Sequence, residues 1–461
     1  MALPMNHILH PSILREYDIR GVVGETLGPA DAYAVGRGFA TRVRRAGGRS
    51  VAVGRDGRLS SPELEAALVE GLTASGVDVV RVGLGPSPML YFAEATLGVD
   101  GGVQVTGSHN PVGHNGFKMK LAHRSFYGAD VRDLAHLAEA GDWEEGAGPV
   151  REEDVRDRYA DRLVQGYAGG AFRVGWDTGN GAAGEVIERL VKRLPGEHHL
   201  LYTEIDGRFP NHHPDPSEEG NLADLQRLVL AHGLDCGFAF DGDGDRVGAV
   251  DGRGRVVRAD LLLALLAGPV LRELPGATII ADVKSSQALF DRVRAIGGRP
   301  LLWKSGHSTI QARMLAEGAP IAGELSGHIF FGHRWYGFDD AQYAAVLLLQ
   351  ALSEADCTLA EFLDSVPPYV NTPELRFPIA PERKDEVVAE VLARLEAAGA
   401  EVNEVDGARV TTPDGWWLLR ASNTESLLVV RAEARDEAGL ERLLAQVDAE
   451  LARSGVERPT D

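Results

Sequence analysis

The sequence has little cysteine: only Cys236 and Cys357 occur among 461 residues, far apart in the chain. That excludes a disulfide framework and any zinc-binding spacing, and it suits a reducing compartment. Positive charge is also scarce, because 47 Lys and Arg against 68 Asp and Glu leave a formal net charge of -21. A chain this acidic is repelled at long range by nucleic acid and by anionic membranes, so neither is expected as a partner. Any anionic substrate must instead meet a local basic cleft. Long apolar runs are missing too. The longest, "LLLALLAGPVL" at 261–271, is shorter than a membrane span and contains Gly268 and Pro269. The opening "MALPMNHILHPSIL" has no basic start followed by a long apolar core, so no signal peptide and a cytoplasmic location are expected.

What is present is ordinary globular composition, 44% hydrophobic and 25% charged residues, in a chain too long for one core. Three short apolar runs read as buried strands that each end at an aspartate: "VAVGRDGR" at 51–58, "RVGWDTGNG" at 173–181 and "TIIADVKSS" at 278–286. Each is followed by helical sequence and then by a second strand running into a polar loop: "GVQVTGSHN", "CGFAFDGDGDR" and "PIAGELSGH". The order repeats with elastic spacing, which predicts three copies of one α/β unit whose loops gather at the carboxyl ends of strands. Between strands, "SPELEAALVEGLTASG" at 61–76 reads as a helix with Ser61 as N-cap, Pro62 in the first turn and Gly76 at the stop. Past the proline-rich "VPPYVNTPE" the pattern changes to a small α+β unit with its own loop, "RASNTES" at 420–426. The expected units are 1–153, 154–254, 255–366 and 367–461.

"DGDGDR" at 241–246 carries the clearest chemistry. Asp241, Asp243 and Asp245 alternate with glycines, so three carboxylates converge on a chain that can bend sharply and require a hard cation such as Mg²⁺ or Ca²⁺. An acidic solvated turn is the bland alternative. An EF-hand is rejected, because loop positions six and twelve are Arg246 and Gly252 rather than glycine and glutamate. "TGSHNP" at 106–111 centres on Ser108 and, read alone, fits a reactive loop or an ordinary turn equally. A phosphorylated Ser108 beside a divalent cation would make one phosphoryl-transfer site of the two loops. Lys118 and His328 are candidate general acid/base groups, and His109 alone is more often structural. Read alone, "GELSGH" fits an ordinary loop or, through Glu324 and Ser326, a site for vicinal sugar hydroxyls, and "RASNTES" fits a polar hairpin end or, through Arg420, Ser422, Asn423 and Thr424, donors suited to a phosphate monoester.

With these residues in hand, the chain resembles the α-D-phosphohexomutase superfamily in its bacterial phosphomannomutase/phosphoglucomutase branch. The likeness runs from "REYDIRGVVGE" at 15–25 to "RASNTES", with all four loops in family order. It implies three α/β domains and a C-terminal α+β domain of TATA-binding-protein-like fold around a central cleft. It implies a phosphoserine at Ser108 and Mg²⁺ held by Asp241, Asp243, Asp245 and a phosphoserine oxygen. Glu324 and Ser326 would hold the sugar's 3- and 4-hydroxyls, and Arg420, Ser422, Asn423 and Thr424 the non-reacting phosphate. Tyr17, Arg20, Arg246, Lys284, His307 and His328 match further cleft positions, and Lys118 matches a proposed general acid/base. The implied reaction moves a phosphoryl group between C1 and C6 of mannose or glucose phosphates through a 1,6-bisphosphate, with glucose 1,6-bisphosphate as activator; no sequence feature reads the oligomeric state, and a monomer is the expectation. Ser426 and Ala341 depart from residues common in the family, but neither is an assigned ligand. Phosphoglucosamine mutase is the nearest rival, although its members usually begin with an "FGTDGIRG"-type segment where this chain has "EYDIRG". A non-catalytic, metal-dependent sugar-phosphate binding protein is the rival from another class.

Overall fold

The computed structural model describes residues 6–423 and 425–458. The first three units share one sheet plan, and the plan explains where their loops go. In the first, Ser50–Arg55 lies parallel to Gly101–Val105 on one side and Asp78–Leu84 on the other, and His114–Leu121 returns antiparallel beside Gly101–Val105. In the second, Phe172–Asp177 lies between Cys236–Phe240 and Gly196–Leu201, with Val247–Asp251 returning. In the third, Thr278–Asp282 lies between Ile321–Gly323 and Arg299–Trp303, with Ile329–Phe331 returning. Each polar loop is therefore the reversal between a parallel strand and its antiparallel return, at the carboxyl end of the parallel strand.

Each sheet gains a further antiparallel edge strand: Ile19–Val22, Val256–Val257 and Phe338–Asp339. The first of these comes from ahead of its unit's central strands, whereas the other two follow them. Val256–Val257 belongs by its pairing to the second sheet, so that sheet runs past the boundary expected at 254. The helix expected at 61–76 is Ser61–Ala74, but Ser61 is not its cap. Its hydroxyl instead donates to Asp56 Oδ1 at 2.5 Å, because that buried carboxylate needs the donor. Gly76 follows the helix with φ +75°, a conformation in which a side chain is strained.

The central strands are buried along their whole length in "CGFAF", "VGAVD" and "TIIAD", as expected for sheets covered on both faces. The layers between units merge, so that Val80, Trp176, Phe238, Leu266 and Leu349 belong to one apolar cluster. The first unit keeps a second cluster around Phe39 and Phe117. The fourth unit is an antiparallel sheet in the order Val370–Asn371, Leu427–Ala434, Gly415–Ala421, Ala408–Thr412 and Glu401–Asn403, and Leu375–Pro378 also pairs with Leu427–Ala434. Alternation along "GWWLLRA" assigns its faces. Trp417 and Leu419 pack in the core with residues of Pro381–Ala397 and Glu437–Arg453, whereas Trp416 and Leu418 pack on Val283 of the third unit. Its polar loop again joins two antiparallel strands. Among the described residues no helix is long and apolar enough to cross a membrane.

Phe238 lies at the centre of the second sheet, fully buried and 5.5 Å from the Trp176 ring. Truncation to alanine should cost about 3–5 kcal/mol. Urea unfolding followed by tryptophan fluorescence measures it, and a loss below about 1 kcal/mol would show that this strand is not part of the shared core.

Candidate active site

The serine loop is held from below by two buried residues at the end of the first strand. Asp56 accepts from Thr106 Oγ1 at 2.8 Å and from the Gly107 amide at 3.0 Å, and Thr106 Oγ1 accepts from the Ser108 amide at 2.8 Å. Arg58 is 1% exposed and donates to the carbonyls of Ser108, Asn110, Pro111 and His114 at 2.5–3.0 Å. A guanidinium with its donors fixed in a plane can satisfy several carbonyls of one loop at once. Ser108 sits at φ +47°, a left-handed conformation uncommon outside glycine, so the loop is over-determined at the residue that bears the hydroxyl.

That hydroxyl meets the metal-type loop. Ser108 Oγ donates to Asp241 Oδ2 at 2.6 Å and lies 3.2 Å from His109 Nδ1. The approach is close enough that a Cβ on Gly242 would fall 2.3 Å from the Ser108 carbonyl oxygen, which is why glycine stands there. Asp241, Asp243 and Asp245 are all fully buried, and their ligand oxygens lie within 4.8 Å of one another. Asp243 Oδ1 and Asp245 Oδ1 are buried and accept no hydrogen bond, so two carboxylate oxygens are left free to ligate an ion. Hard, unpartnered oxygen donors in this arrangement fit a divalent cation of the Mg²⁺ type. Lys118 Nζ reaches the same group, donating to Asp243 Oδ2 at 2.7 Å and to Asp245 Oδ2. Burial pushes the ammonium down, but Asp243 and Asp245 outweigh it and hold Lys118 well above the usual lysine range. Burial, then Asp243 and Asp245, push the Asp241 carboxyl well up.

The third loop joins from the other side. His328 Nδ1 is 2.7 Å from Asp339 Oδ2, and Arg246 Nε donates to His328 Nε2 at 3.0 Å. Burial lowers His328, but Asp245 and Asp339 lift it above the ordinary histidine range. The stacked His307 ring, 5.4 Å away, is pushed down to about 3 by burial and by His328. His109 is likewise held well down, first by burial and then by Arg246, Arg20 and Lys118. Glu324 accepts from the Gly306 amide, and Ser326 Oγ lies 3.5 Å from Glu324 Oε2.

Six more candidates lie around these loops among the described residues. Tyr17 OH donates to the Ser305 carbonyl at 2.9 Å and accepts from Asn423 Nδ2 at 2.6 Å, which ties the first, third and fourth units together. Arg20 donates to Asn110 Oδ1 at 3.0 Å and pairs with Asp18. Lys284 Nζ is 2.7 Å from Glu374, and Arg420 Nε is 2.9 Å from Asp406. Ser422 Oγ accepts from the Glu425 amide at 3.2 Å, and Thr424 lies outside the described residues. Ser108, His109, Lys118, Arg246, His328 and the three aspartates thus form one contiguous cluster. Glu324 and Ser326 sit on the adjoining loop, while Lys284 and Arg420 pair instead with carboxylates of the fourth unit. Sequence reasoning missed Arg58, Ser87, Asp339, Gln342, Glu374 and Asp406. Only two of these left a trace: Arg58 ends the "VAVGRDGR" run, and Asp339 is the first of the paired aspartates in "FDDAQ".

The chain matches the four domains described as phosphoglucomutase/phosphomannomutase, α/β/α domains I, II and III and the C-terminal domain, over residues 11–136, 157–254, 258–369 and 374–450. It is 42% identical over 436 residues to a phosphomannomutase/phosphoglucomutase of Pseudomonas aeruginosa, covering 94% of each chain. It is 43% identical to a phosphoglucomutase of Neisseria gonorrhoeae over 438 residues, covering 94% of this chain and 95% of that one. A crystal structure of a phosphoglucomutase/phosphomannomutase family protein from Burkholderia thailandensis superposes with a TM-score of 0.93 at 43% identity, covering 98% of this chain and 100% of that one.

Replacing Arg58 by methionine leaves the serine-loop carbonyls without donors and Asp56 without its cation. A loss of about 3–5 kcal/mol is expected from breaking a buried, hydrogen-bonded charge, read from urea unfolding. A loss below about 1 kcal/mol would mean that the loop holds its shape without the guanidinium.

Proposed function

This chain belongs to the phosphoglucomutase/phosphomannomutase family and is a phosphohexomutase, and on that premise we propose that Ser108 carries the phosphoryl group it moves between C1 and C6 of a hexose phosphate. The observation that carries this reading is the 2.6 Å contact of Ser108 Oγ with Asp241 in a cluster of buried carboxylates. Neither phosphoglucosamine mutase nor a non-catalytic binding protein is favoured by these relatives.

Asp241, Asp243 and Asp245 would hold Mg²⁺ together with an oxygen of phosphorylated Ser108. The ion supplies charge neutralisation and polarisation of the phosphoryl group. In the first half-reaction a sugar hydroxyl oxygen bonds to phosphorus, the bond from phosphorus to Ser108 Oγ breaks, and the hydroxyl proton leaves while Oγ gains one. In the second the bisphosphate returns its other phosphoryl group to Oγ by the reverse steps. His109 lies 3.2 Å from Oγ as a neutral imidazole, its proton affinity lowered by burial and the nearby cations. Lys118 holds its proton firmly between Asp243 and Asp245 and supplies positive charge there, and His328, anchored through Nδ1 on Asp339, is the neighbouring group whose affinity for a further proton is raised. Arg246 lies on the rim between the metal-type loop and His328 and supplies fixed positive charge there.

Glu324 and Ser326 address vicinal sugar hydroxyls, while Arg420, Ser422, Asn423 and Thr424 grip the phosphate that is not reacting. A grip of this kind accepts either end of the sugar, so the bisphosphate, including added glucose 1,6-bisphosphate, can turn over within the cleft. Tyr17, Arg20, Lys284 and His307 complete its wall. Lys284 and Arg420 are each held by a carboxylate, Glu374 and Asp406, with which an arriving phosphate competes for the cation. No named group addresses C2, so glucose and mannose phosphates are both substrates.

Incubation with labelled glucose 1,6-bisphosphate should place one phosphate on Ser108, and Ser108→Ala should accept none and lose at least about 1,000-fold in kcat. Full turnover by Ser108→Ala would remove the serine from the reaction. With Mg²⁺ and bisphosphate present, kcat/KM for glucose 1-phosphate and mannose 1-phosphate should agree within about ten-fold, a range expected when no polar group reads C2. A preference for glucosamine 1-phosphate would contradict the assignment.

A further inference from the structure

The "DGDGDR" loop belongs to the second unit, yet it is also braced from the first and third. Ser87 opens the helix Ser87–Thr96 after Pro86, and first-turn amides have no partner within their own helix. The Ser87 amide donates to the Asp243 carbonyl at 2.8 Å, and Ser87 Oγ donates to Asp243 Oδ2 at 2.6 Å. One buried serine therefore holds both the backbone and the carboxylate of the same aspartate, and it leaves Asp243 Oδ1 as the oxygen without a partner.

The next residue is held from the opposite side. Gly244 stands at φ +71°, and its carbonyl accepts from Gln342 Nε2 at 2.7 Å. Gln342 is fully buried, and its Oε1 lies 3.0 Å from the Tyr159 hydroxyl, which turns the amide nitrogen toward the loop. A Cβ on Gly244 would fall 2.9 Å from Pro86 Cβ and 3.0 Å from Gln342 Nε2, so the turn is wedged between the two braces.

We propose that Ser87 and Gln342 are positioning residues for the metal loop, setting divalent-cation affinity by fixing which oxygen of Asp243 faces the ion and how the Gly244 turn presents Asp245. The proposal rests on the metal reading of Asp241, Asp243 and Asp245. Partners that orient a ligand's carboxylate typically matter by about 10- to 100-fold in metal affinity.

The test is Mn²⁺ titration of the full-length, dephosphorylated protein by electron paramagnetic resonance, with urea unfolding in parallel. Ser87→Ala should bind Mn²⁺ about ten-fold or more weakly, and its turnover should return at high Mg²⁺ with KM for the hexose phosphate unchanged. Gln342→Met keeps the volume, removes the donor and gives an independent arm with the same expected direction. Asp243→Asn, which removes a ligand, should abolish binding. Wild-type affinity in both Ser87→Ala and Gln342→Met would overturn the proposal. A wild-type protein that binds no Mn²⁺ would instead overturn the metal reading beneath it.

Discussion

Asp241, Asp243 and Asp245 have no contact with solvent, and three carboxylates placed in one glycine-rich turn repel one another while losing their hydration. Such a group can persist only if positive charge and hydrogen-bond donors are brought to it from elsewhere. Lys118 reaches it from the first unit, the Asp245 and Arg246 amides contribute from the second, and His328, 3.7 Å from Asp245, and Gln342 come from the third. Groups of three units thus converge on one turn beside the apolar cluster that the units share, and Ser108 Oγ lies 2.6 Å from Asp241.

The sheets make this convergence possible by a repeated device. A parallel strand delivers a loop at its carboxyl end, an antiparallel strand takes the chain away, and a buried aspartate at the end of the neighbouring strand anchors what lies above. Asp56 does so for the serine loop through Thr106 and Gly107, and Asp282 does so for the sugar loop through the Leu325 amide. Asp177 departs from the pattern, holding Gly179 and His212 instead, and the metal-type loop takes its support from neighbouring units.

That division explains what the sequence could reveal. Strands ending in aspartate, the four loops and the alternating acids of "DGDGDR" are local patterns, and the reading of an α/β repeat with a distinct C-terminal unit followed from them. Ser87, Gln342, Glu374 and Asp406 act on groups 90 to 156 positions away, across unit boundaries, and no local pattern tells what they contact. Ser61 illustrates the same limit at short range: local rules made it a helix cap, but a buried carboxylate five positions earlier claimed its hydroxyl. The merging of the interior layers into one apolar cluster was equally illegible, because a hydrophobic stripe does not say which unit will cover it.

The formal charge of -21 is reconciled with an anionic substrate by local arrangement. Arg20, Lys118, Arg246, Lys284 and Arg420 line the loops, each close to an acidic or hydrogen-bonding partner that holds it in place until a phosphate arrives. The most direct measurement is a single turnover of enzyme carrying labelled phosphate on Ser108, mixed with unlabelled glucose 1-phosphate and quenched over time. The account predicts that label leaves the protein and appears first in hexose bisphosphate and then in glucose 6-phosphate at the rate of catalysis. Label that stays on the protein while glucose 6-phosphate forms would contradict it.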